Sequence, residues 1–193
     1  MERTFKMIKV IDNFLDKGDF NEMKEIIMGK NFPWYHYDQP VDNYLQWDFD
    51  KTPQEIKEEA KRVSGYWFMV NSLYDNNRLI ASKNPASISV LKPIISKLNT
   101  IDGRQVKELI RAKFNFYPNQ GKFIEHTWHQ DTDYTHKGCL LAFNTCNGYT
   151  KFKDGTKVES VENRALLFDP SIEHTSTNTT NAPRRVNMNI NYF

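Results

Sequence analysis

Arg184-Arg185-Val186-Asn187-Met188-Asn189-Ile190-Asn191-Tyr192-Phe193 alternates polar and apolar residues from Arg185 to Asn191. A period of two marks a β-strand, whose successive side chains point to opposite faces. Val186, Met188 and Ile190 share one face; Arg185, Asn187, Asn189 and Asn191 share the other. Two readings stay open. The polar face lies in water, or it lines an internal polar pocket while the apolar face packs on other elements. Arg111-Ala-Lys-Phe-Asn-Phe-Tyr117-Pro118 alternates in the same way, with Arg111, Lys113, Asn115 and Tyr117 opposite Ala112, Phe114 and Phe116.

Between these strands the segments are short and separated by turn residues: Pro118-Asn-Gln-Gly121, Asn147-Gly148, Asp154-Gly155, and Asn178 to Pro183. Asp154-Gly155 predicts a two-residue hairpin between Tyr149–Phe152 and Thr156–Val158. Before residue 105 the pattern is mixed. Met7 to Ile11 reads as a short strand. Phe20, Met23, Ile26 and Ile27 recur at helical spacing, and Asn31 to Tyr35 is aromatic and Pro-broken. Thr52-Pro-Gln-Glu55 has the form of a capped helix start. Ile88, Leu91, Ile94, Ile95 and Leu98 fall on one helical face, with a break or kink expected at Pro93. Helices first and many short strands afterward predict an α+β domain built on a sandwich or jelly roll. The aromatic share, 13% with 13 Phe and 9 Tyr, suits large side chains filling such a core. No repeat or long linker divides the 193 residues, so one domain is expected over 1–193.

Composition excludes several classes. With 26 basic and 24 acidic residues the net charge is +2, which gives no nucleic-acid signature. No apolar run approaches the ~20 residues of a membrane helix, and the first residues lack an apolar leader, so a cytoplasmic, membrane-free protein is expected. Cys139 and Cys146 form no CxxC pair and read as reduced, partly buried thiols.

The chemistry concentrates on His129-Gln-Asp131 and His174. In an extended segment, residues two apart share a face, so His129 and Asp131 can reach one metal ion; His174 lies in a separate extended segment after Asp169-Pro170. Two imidazoles and one carboxylate hold one face of an octahedral ferrous ion and leave positions open, whereas a structural zinc site closes its shell. An arginine soon after the distal His can bind a dicarboxylate, because a guanidinium bonds a carboxylate bidentately and stays charged. Arg185 shares its face with the asparagines and is preferred; Arg184 is the alternative, and exposure of both is the plain one. The Tyr117 phenol either donates to a co-substrate carboxylate or packs at a strand end. Strand parity puts His126 opposite His129 unless a bulge intervenes. His126 and His136 are read as surface residues or supports of the ligands, and His36 as structural. Gly148-Tyr149 is placed at the pocket mouth.

These pieces together resemble the 2-oxoglutarate/Fe(II) oxygenases of the prolyl 4-hydroxylase-like type, and in particular their small tailed-phage (cyanophage-like) members. The likeness covers roughly residues 108 to 193. It rests on Asn115-Phe-Tyr117-Pro118, Trp128-His129-Gln-Asp131, Leu141 to Asn144, Asn147 to Thr150, Asn163 to Asp169, His174, and Arg185 to Phe193. The resemblance implies a double-stranded β-helix core with N-terminal helices packed on one sheet. It implies His129, Asp131 and His174 as iron ligands, Arg185 on the distal carboxylate of 2-oxoglutarate, and Tyr117 near the same co-substrate. Ala142 departs from the family, where several prolyl hydroxylases carry a co-substrate-binding Tyr. The intact Asp131 points to hydroxylation rather than halogenation.

The activity expected from this resemblance is that of a dioxygenase that consumes O2 and 2-oxoglutarate and releases succinate and CO2, with ascorbate as a candidate auxiliary reductant. Residues 1–105 would supply mixed α/β support and substrate loops (31–41 and 66–77), and 106–193 the jelly-roll catalytic core. Trp34, Tyr35, Tyr37 and Trp67 either stack on a substrate ring or pack in the core. Three functions remain in competition: hydroxylation of a peptidyl residue, proline among them; the same chemistry on a small metabolite or nucleobase; and a non-catalytic metal-binding jelly-roll interaction protein. Host cytoplasm is the expected location for a phage protein.

Overall fold

The computed structural model describes residues 8–38, 64–75, 78–80, 89–101 and 105–193, with isolated positions between 52 and 61. In chain order the described elements are β1 (Lys9–Ile11), α1 (Lys17–Met28), β2 (Tyr35–Asp38), β3 (Trp67–Asp75), β4 (Arg78–Leu79), α2 (Leu91–Thr100), β5 (Leu109–Pro118), β6 (Lys137–Ala142), β7 (Tyr149–Phe152), β8 (Lys157–Glu159), β9 (Ala165–Phe168), β10 (His174–Ser176) and β11 (Arg184–Tyr192).

The strands form two sheets. The larger has the order β1-β9-β6-β11-β5-β3-β2, with β4 also on β3; the smaller has the order β10-β7-β8. β11 lies between β5 and β6 and is antiparallel to both. Its central position decides the question that alternation leaves open. Val186, Met188 and Ile190 are buried, and so are Arg185, Asn187, Asn189 and Asn191. The apolar face joins Ala112, Phe114, Leu141 and Phe143 beneath the two helices, which contribute Phe20, Met23 and Ile27 from α1 and Leu91, Ile94 and Leu98 from α2. Each such side chain stabilises by ~1.5–3 kcal/mol on burial. The polar face looks toward the smaller sheet. This is the α+β jelly roll with helices on one sheet that the pattern predicts.

Side chains stitch the irregular parts to this frame. Asn163, at φ 58°, accepts from the Leu15 amide (3.0 Å) and donates to the Leu15 carbonyl (2.9 Å), so the chain entering α1 is tied to the turn before β9. Asn144 donates to the Arg184 carbonyl (2.8 Å) and accepts from the Val186 amide (2.9 Å), which continues the β6–β11 ladder past the end of β6. Thr52 and Glu55 bond reciprocally, as the capping box requires.

Of two local expectations, one is placed more closely and one is corrected. The expected break near Pro93 is present: Ser89 is helical, Val90 is a turn residue and α2 begins at Leu91, so Pro93 falls in the first turn of α2, where an amide has no intrahelical acceptor to lose. The hairpin at Asp154-Gly155 has three loop residues, not two, because the Phe152 amide pairs with the Thr156 carbonyl. Gly155 takes φ 89°, the left-handed position that closes such loops. Met7, Pro53, residues 39–41, Asn76, Asn77 and residues 86–88, and with them parts of the proposed first strand, substrate loops and second helix, lie outside the described residues.

Candidate active site

A cavity of about 120 Å³ lies between the sheets, and His129, Asp131 and His174 all line it. One ligand atom from each of the three lies within 4.8 Å of the others. Pairing of the backbone produces this meeting. His129 and His174 exchange amide-to-carbonyl bonds, 3.0 Å each way, and the Asp131 amide donates to the Pro170 carbonyl at 2.9 Å. The imidazole centroids are 4.5 Å apart.

Both rings are set in one tautomer by their surroundings. His129 Nδ1 lies 3.1 Å from the Thr127 carbonyl and His174 Nδ1 2.9 Å from the Ile172 carbonyl. A carbonyl only accepts, so each Nδ1 carries the proton and each Nε2 presents a lone pair. Burial, with help from His174, pushes His129 down to about 4, so its ring is neutral at neutral pH. Burial pushes the Asp131 carboxyl up, but Arg111 foremost, then His174, His129 and Asn191, outweigh it and hold the carboxyl well below its usual range. Oδ2 of Asp131 accepts from Arg111 (2.6 Å), Asn189 (3.1 Å) and Asn191 (3.0 Å). Oδ1 lies 4.0 Å from His129 Nε2. One oxygen is therefore saturated while the other faces the imidazoles. Two imidazoles that present Nε2 and a fixed carboxylate oxygen are the donor set that fits a divalent transition metal.

Arg185 lies deeper, 2% exposed. It donates to Ser176 Oγ (2.6 Å), the Thr177 carbonyl (2.8 Å) and Thr150 Oγ1 (3.3 Å), and its guanidinium carbon lies 5.7 Å from the Tyr117 ring centroid. Its Nε has no partner and, among the described residues, no carboxylate pairs with it. A buried cation without an anion is costly, which makes this a place for an anionic ligand. Arg184 points the other way, to the Met28 carbonyl (3.3 Å) and the Phe116 ring. Tyr117 lines the cavity, its hydroxyl raised above the ordinary phenol range mainly by burial.

Other sequence expectations need revision. His126 and His136 are not surface residues; both are buried, and His126 lines the cavity. The bridges Glu125–Thr177 and His129–His174 span four residues on one side and three on the other. That extra residue is a bulge, and it carries His126 to the side of His129. Gly148 packs against Arg185: a Cβ there would stand 2.6 Å from Arg185 Cδ. Ala142 borders a small cavity beside Arg185. Sequence reasoning does not single out Tyr66, Thr150, Ser176 or Lys113 as site residues. Ser176 is within reach of parity, being two residues after His174. Lys113 stands on the polar face of β5. Nothing in the sequence marks Tyr66, which packs 4.5 Å from His126 with its hydroxyl buried and unpartnered. A larger cavity, about 580 Å³, lies between α1 and α2, away from these groups.

No family sequence signature matches the chain, and no curated protein sequence matches it. Solved structures do resemble it in fold. A prolyl hydroxylase from Trichoplax adhaerens, in complex with a hypoxia inducible factor oxygen degradation domain peptide fragment, is 16% identical over 98% of this chain and 84% of its own, with a TM-score of 0.57. The non-haem alpha-ketoglutarate-dependent epimerase SnoN from nogalamycin biosynthesis is 8% identical over 98% and 78%, with a TM-score of 0.60. The viral collagen prolyl hydroxylase of Paramecium Bursaria Chlorella virus-1, in its 2-oxoglutarate complex, is 10% identical over 97% and 96%, with a TM-score of 0.51. At these identities the likeness is one of fold: the class is the jelly roll on which 2-oxoglutarate/Fe(II) oxygenases are built.

Proposed function

We propose that the chain is a 2-oxoglutarate- and Fe(II)-dependent dioxygenase, with His129, Asp131 and His174 as iron ligands and Arg185 and Tyr117 as co-substrate ligands. One observation carries this reading. Arg185, buried with no carboxylate against it among the described residues, is bonded to Ser176, two residues along β10 from His174. Two strand residues advance ~7 Å. A five-carbon dicarboxylate spans at most ~6 Å, from four carbon–carbon bonds of ~1.5 Å. The Arg185 contact at Ser176 and the proposed ligand His174 thus stand on one strand at a separation comparable to the length of a short dicarboxylate.

The residues then divide the work. The two Nε2 atoms and Asp131 Oδ1 would hold the metal, with His129 already neutral and Asp131 already ionised. Arg111, Asn189 and Asn191 keep Oδ2 occupied, so the carboxylate binds through one oxygen and leaves coordination positions open. Arg185 neutralises the distal carboxylate, with the Tyr117 and Tyr66 hydroxyls close by. Burial between the sheets excludes bulk water. Iron and 2-oxoglutarate supply the oxidising chemistry when bound, giving succinate, CO2 and a hydroxylated substrate. Ascorbate enters only as a reductant that keeps the iron ferrous.

A peptidyl residue, proline included, and a small metabolite are the two substrate classes within this reading. Both kinds of ligand occur among the similar folds, a peptide with one and nogalamycin RO with another. None of the described helices is long and apolar enough to cross a membrane. A cytoplasmic site of action, the host's for a phage protein, belongs to the same proposal.

The test is succinate formation from purified protein with Fe(II), ascorbate and 2-oxoglutarate, with His129→Ala and His174→Ala as controls. Slow substrate-free turnover is expected in the parent and in neither control. Calorimetry on the same samples adds a second readout; failure to bind either metal or 2-oxoglutarate would end the oxygenase reading.

A further inference from the structure

The polar face of β5 carries more positive charge than the proposed iron and co-substrate can absorb. Arg111 and Lys113 both line the cavity, two residues apart on one face, and Arg185 stands on the neighbouring strand opposite Tyr117. Each cation but one has its counterpart. Arg111 is bonded to Asp131. Arg185 is assigned the distal carboxylate of 2-oxoglutarate. A divalent ion would meet the chelating carboxylate and share Asp131 with Arg111. Lys113 is left over.

Its surroundings supply no remedy. Among the described residues the Lys113 ammonium makes no hydrogen bond or ion pair. The acids whose fields reach it are Asp131 and Asp75. Asp131 already has three donors on Oδ2 and turns Oδ1 toward the imidazoles. Lys113 is half-buried, and its open part faces the cavity. Burial, then the neighbouring Arg111, lower it to about 8. Its position along the strand is also informative. Lys113 pairs with Asn189, the residue that donates to Asp131, so it is level with the metal ligands. The Tyr117–Arg185 rung is four residues further along β5, so Lys113 stands toward the opposite end of the polar face from Arg185.

We propose that Lys113 receives a carboxylate of the primary substrate and that the substrate is therefore an acid small enough to bring that group beside the metal. This rests on the oxygenase reading above. A carboxylate is the smaller of the common anionic groups, which suits so small a cavity.

The experiment uses full-length protein loaded with Mn(II) and 2-oxoglutarate. The probes are a panel of N-acetyl amino acids, each as the free acid and as the primary amide, followed by ligand-observed NMR and calorimetry. Variants are Lys113→Met, which keeps the length without the charge, and Lys113→Arg. At least one acid is expected to bind about tenfold more tightly than its amide. That preference disappears in Lys113→Met and returns in Lys113→Arg, while 2-oxoglutarate affinity stays within threefold. Acids and amides binding alike, or no probe binding at millimolar concentration, would overturn the assignment. So would a large loss of 2-oxoglutarate affinity in Lys113→Met, since Lys113 would then serve the co-substrate. If the parent binds neither Mn(II) nor 2-oxoglutarate, the oxygenase reading has failed, before any question about Lys113 arises. Should Lys113→Met not fold, the acid-over-amide preference of the parent, and its weakening by salt, still decide.

Discussion

Arg111 Nη2 donates to Asp131 Oδ2 across 2.6 Å and leaves Oδ1 as the oxygen nearest His129 Nε2, at 4.0 Å. The pair joins β5 to the loop that follows His129. In the proposed site it would act on the metal without touching it, since an unpaired carboxylate is free to rotate or to chelate through both oxygens.

Arg111→Met should therefore weaken Fe(II) or Mn(II) binding by 10- to 100-fold, the usual cost of losing a group that orients a ligand. Asn189→Ala and Asn191→Ala should each cost less, because one neutral donor is lost and Arg111 remains. Metal titration by calorimetry at fixed pH reads this directly. Unchanged affinity in Arg111→Met would mean that the ion pair serves only the fold.

Gly148 gives a test that alters no polar group. An added Cβ would meet Arg185 Cδ and the Asn178 carbonyl at 2.6 Å each. The side chain can move, and the backbone carbonyl cannot do so cheaply. Gly148→Ala should lower 2-oxoglutarate affinity about tenfold and stability by about 1–3 kcal/mol, with metal affinity retained. Normal 2-oxoglutarate binding in this variant would argue that Arg185 does not hold it.

Legibility of these features in the sequence depends on periodicity. The two faces of β5 and β11 are legible because a period of two survives wherever a strand is regular. His129 and Asp131 are legible as two donor residues two positions apart, and His174 as a distal His in a separate extended segment. Parity misplaces His126 because a bulge adds a residue between Glu125 and His129, and nothing in Glu125-His-Thr-Trp-His129 announces it. Gly148 looks like an ordinary turn glycine, and its role as the seat of Arg185 depends on strands distant in sequence. The break before Pro93 is legible because a proline crowds the turn that precedes it, but its place at Val90 is not, since no capping side chain marks the start of α2.

Lys113 makes a prediction about pH. Its folded value, about 8, lies below the ordinary 10.5 because of burial and then Arg111, with Asp131 and Asp75 acting in the opposite sense. Between those values the unfolded chain holds a proton that the folded chain has released, so stability rises with pH across the window. Below pH 8 the charged lysine costs the fold a few kcal/mol, about 3 by the size of the interval. Cys139, which burial pushes up to about 12, acts in reverse above its ordinary range. The comparison must therefore be between parent and Lys113→Met, both with chelator present. Denaturant unfolding from pH 7 to 10.5 should find the variant more stable at pH 7, with the gap closing as pH rises. A constant gap would show that Lys113 is as well solvated folded as unfolded.

The two neighbouring arginines separate most sharply. Arg185 is enclosed by Ser176, Thr177 and Thr150 on the cavity side, whereas Arg184 lies over Phe116 and reaches the Met28 carbonyl on the helix side. Removing a buried charge from its ionic partner costs about 2–5 kcal/mol of binding, so Arg185→Met should weaken 2-oxoglutarate binding by at least 30-fold while metal still binds. Arg184→Met loses one long hydrogen bond and a cation–π contact worth about 0.5–1 kcal/mol at an open site. It should lower the melting temperature by a few degrees and leave 2-oxoglutarate affinity within twofold. Calorimetry on the metal-loaded proteins and thermal unfolding of the same samples resolve the two effects. Equal losses of affinity would mean that both substitutions act through β11 as a whole, and the assignment of Arg185 as the anion anchor would fall. An affinity lost in Arg185→Met alone, with its fold intact, ties the polar face of β11 to the dicarboxylate and the opposite face to packing.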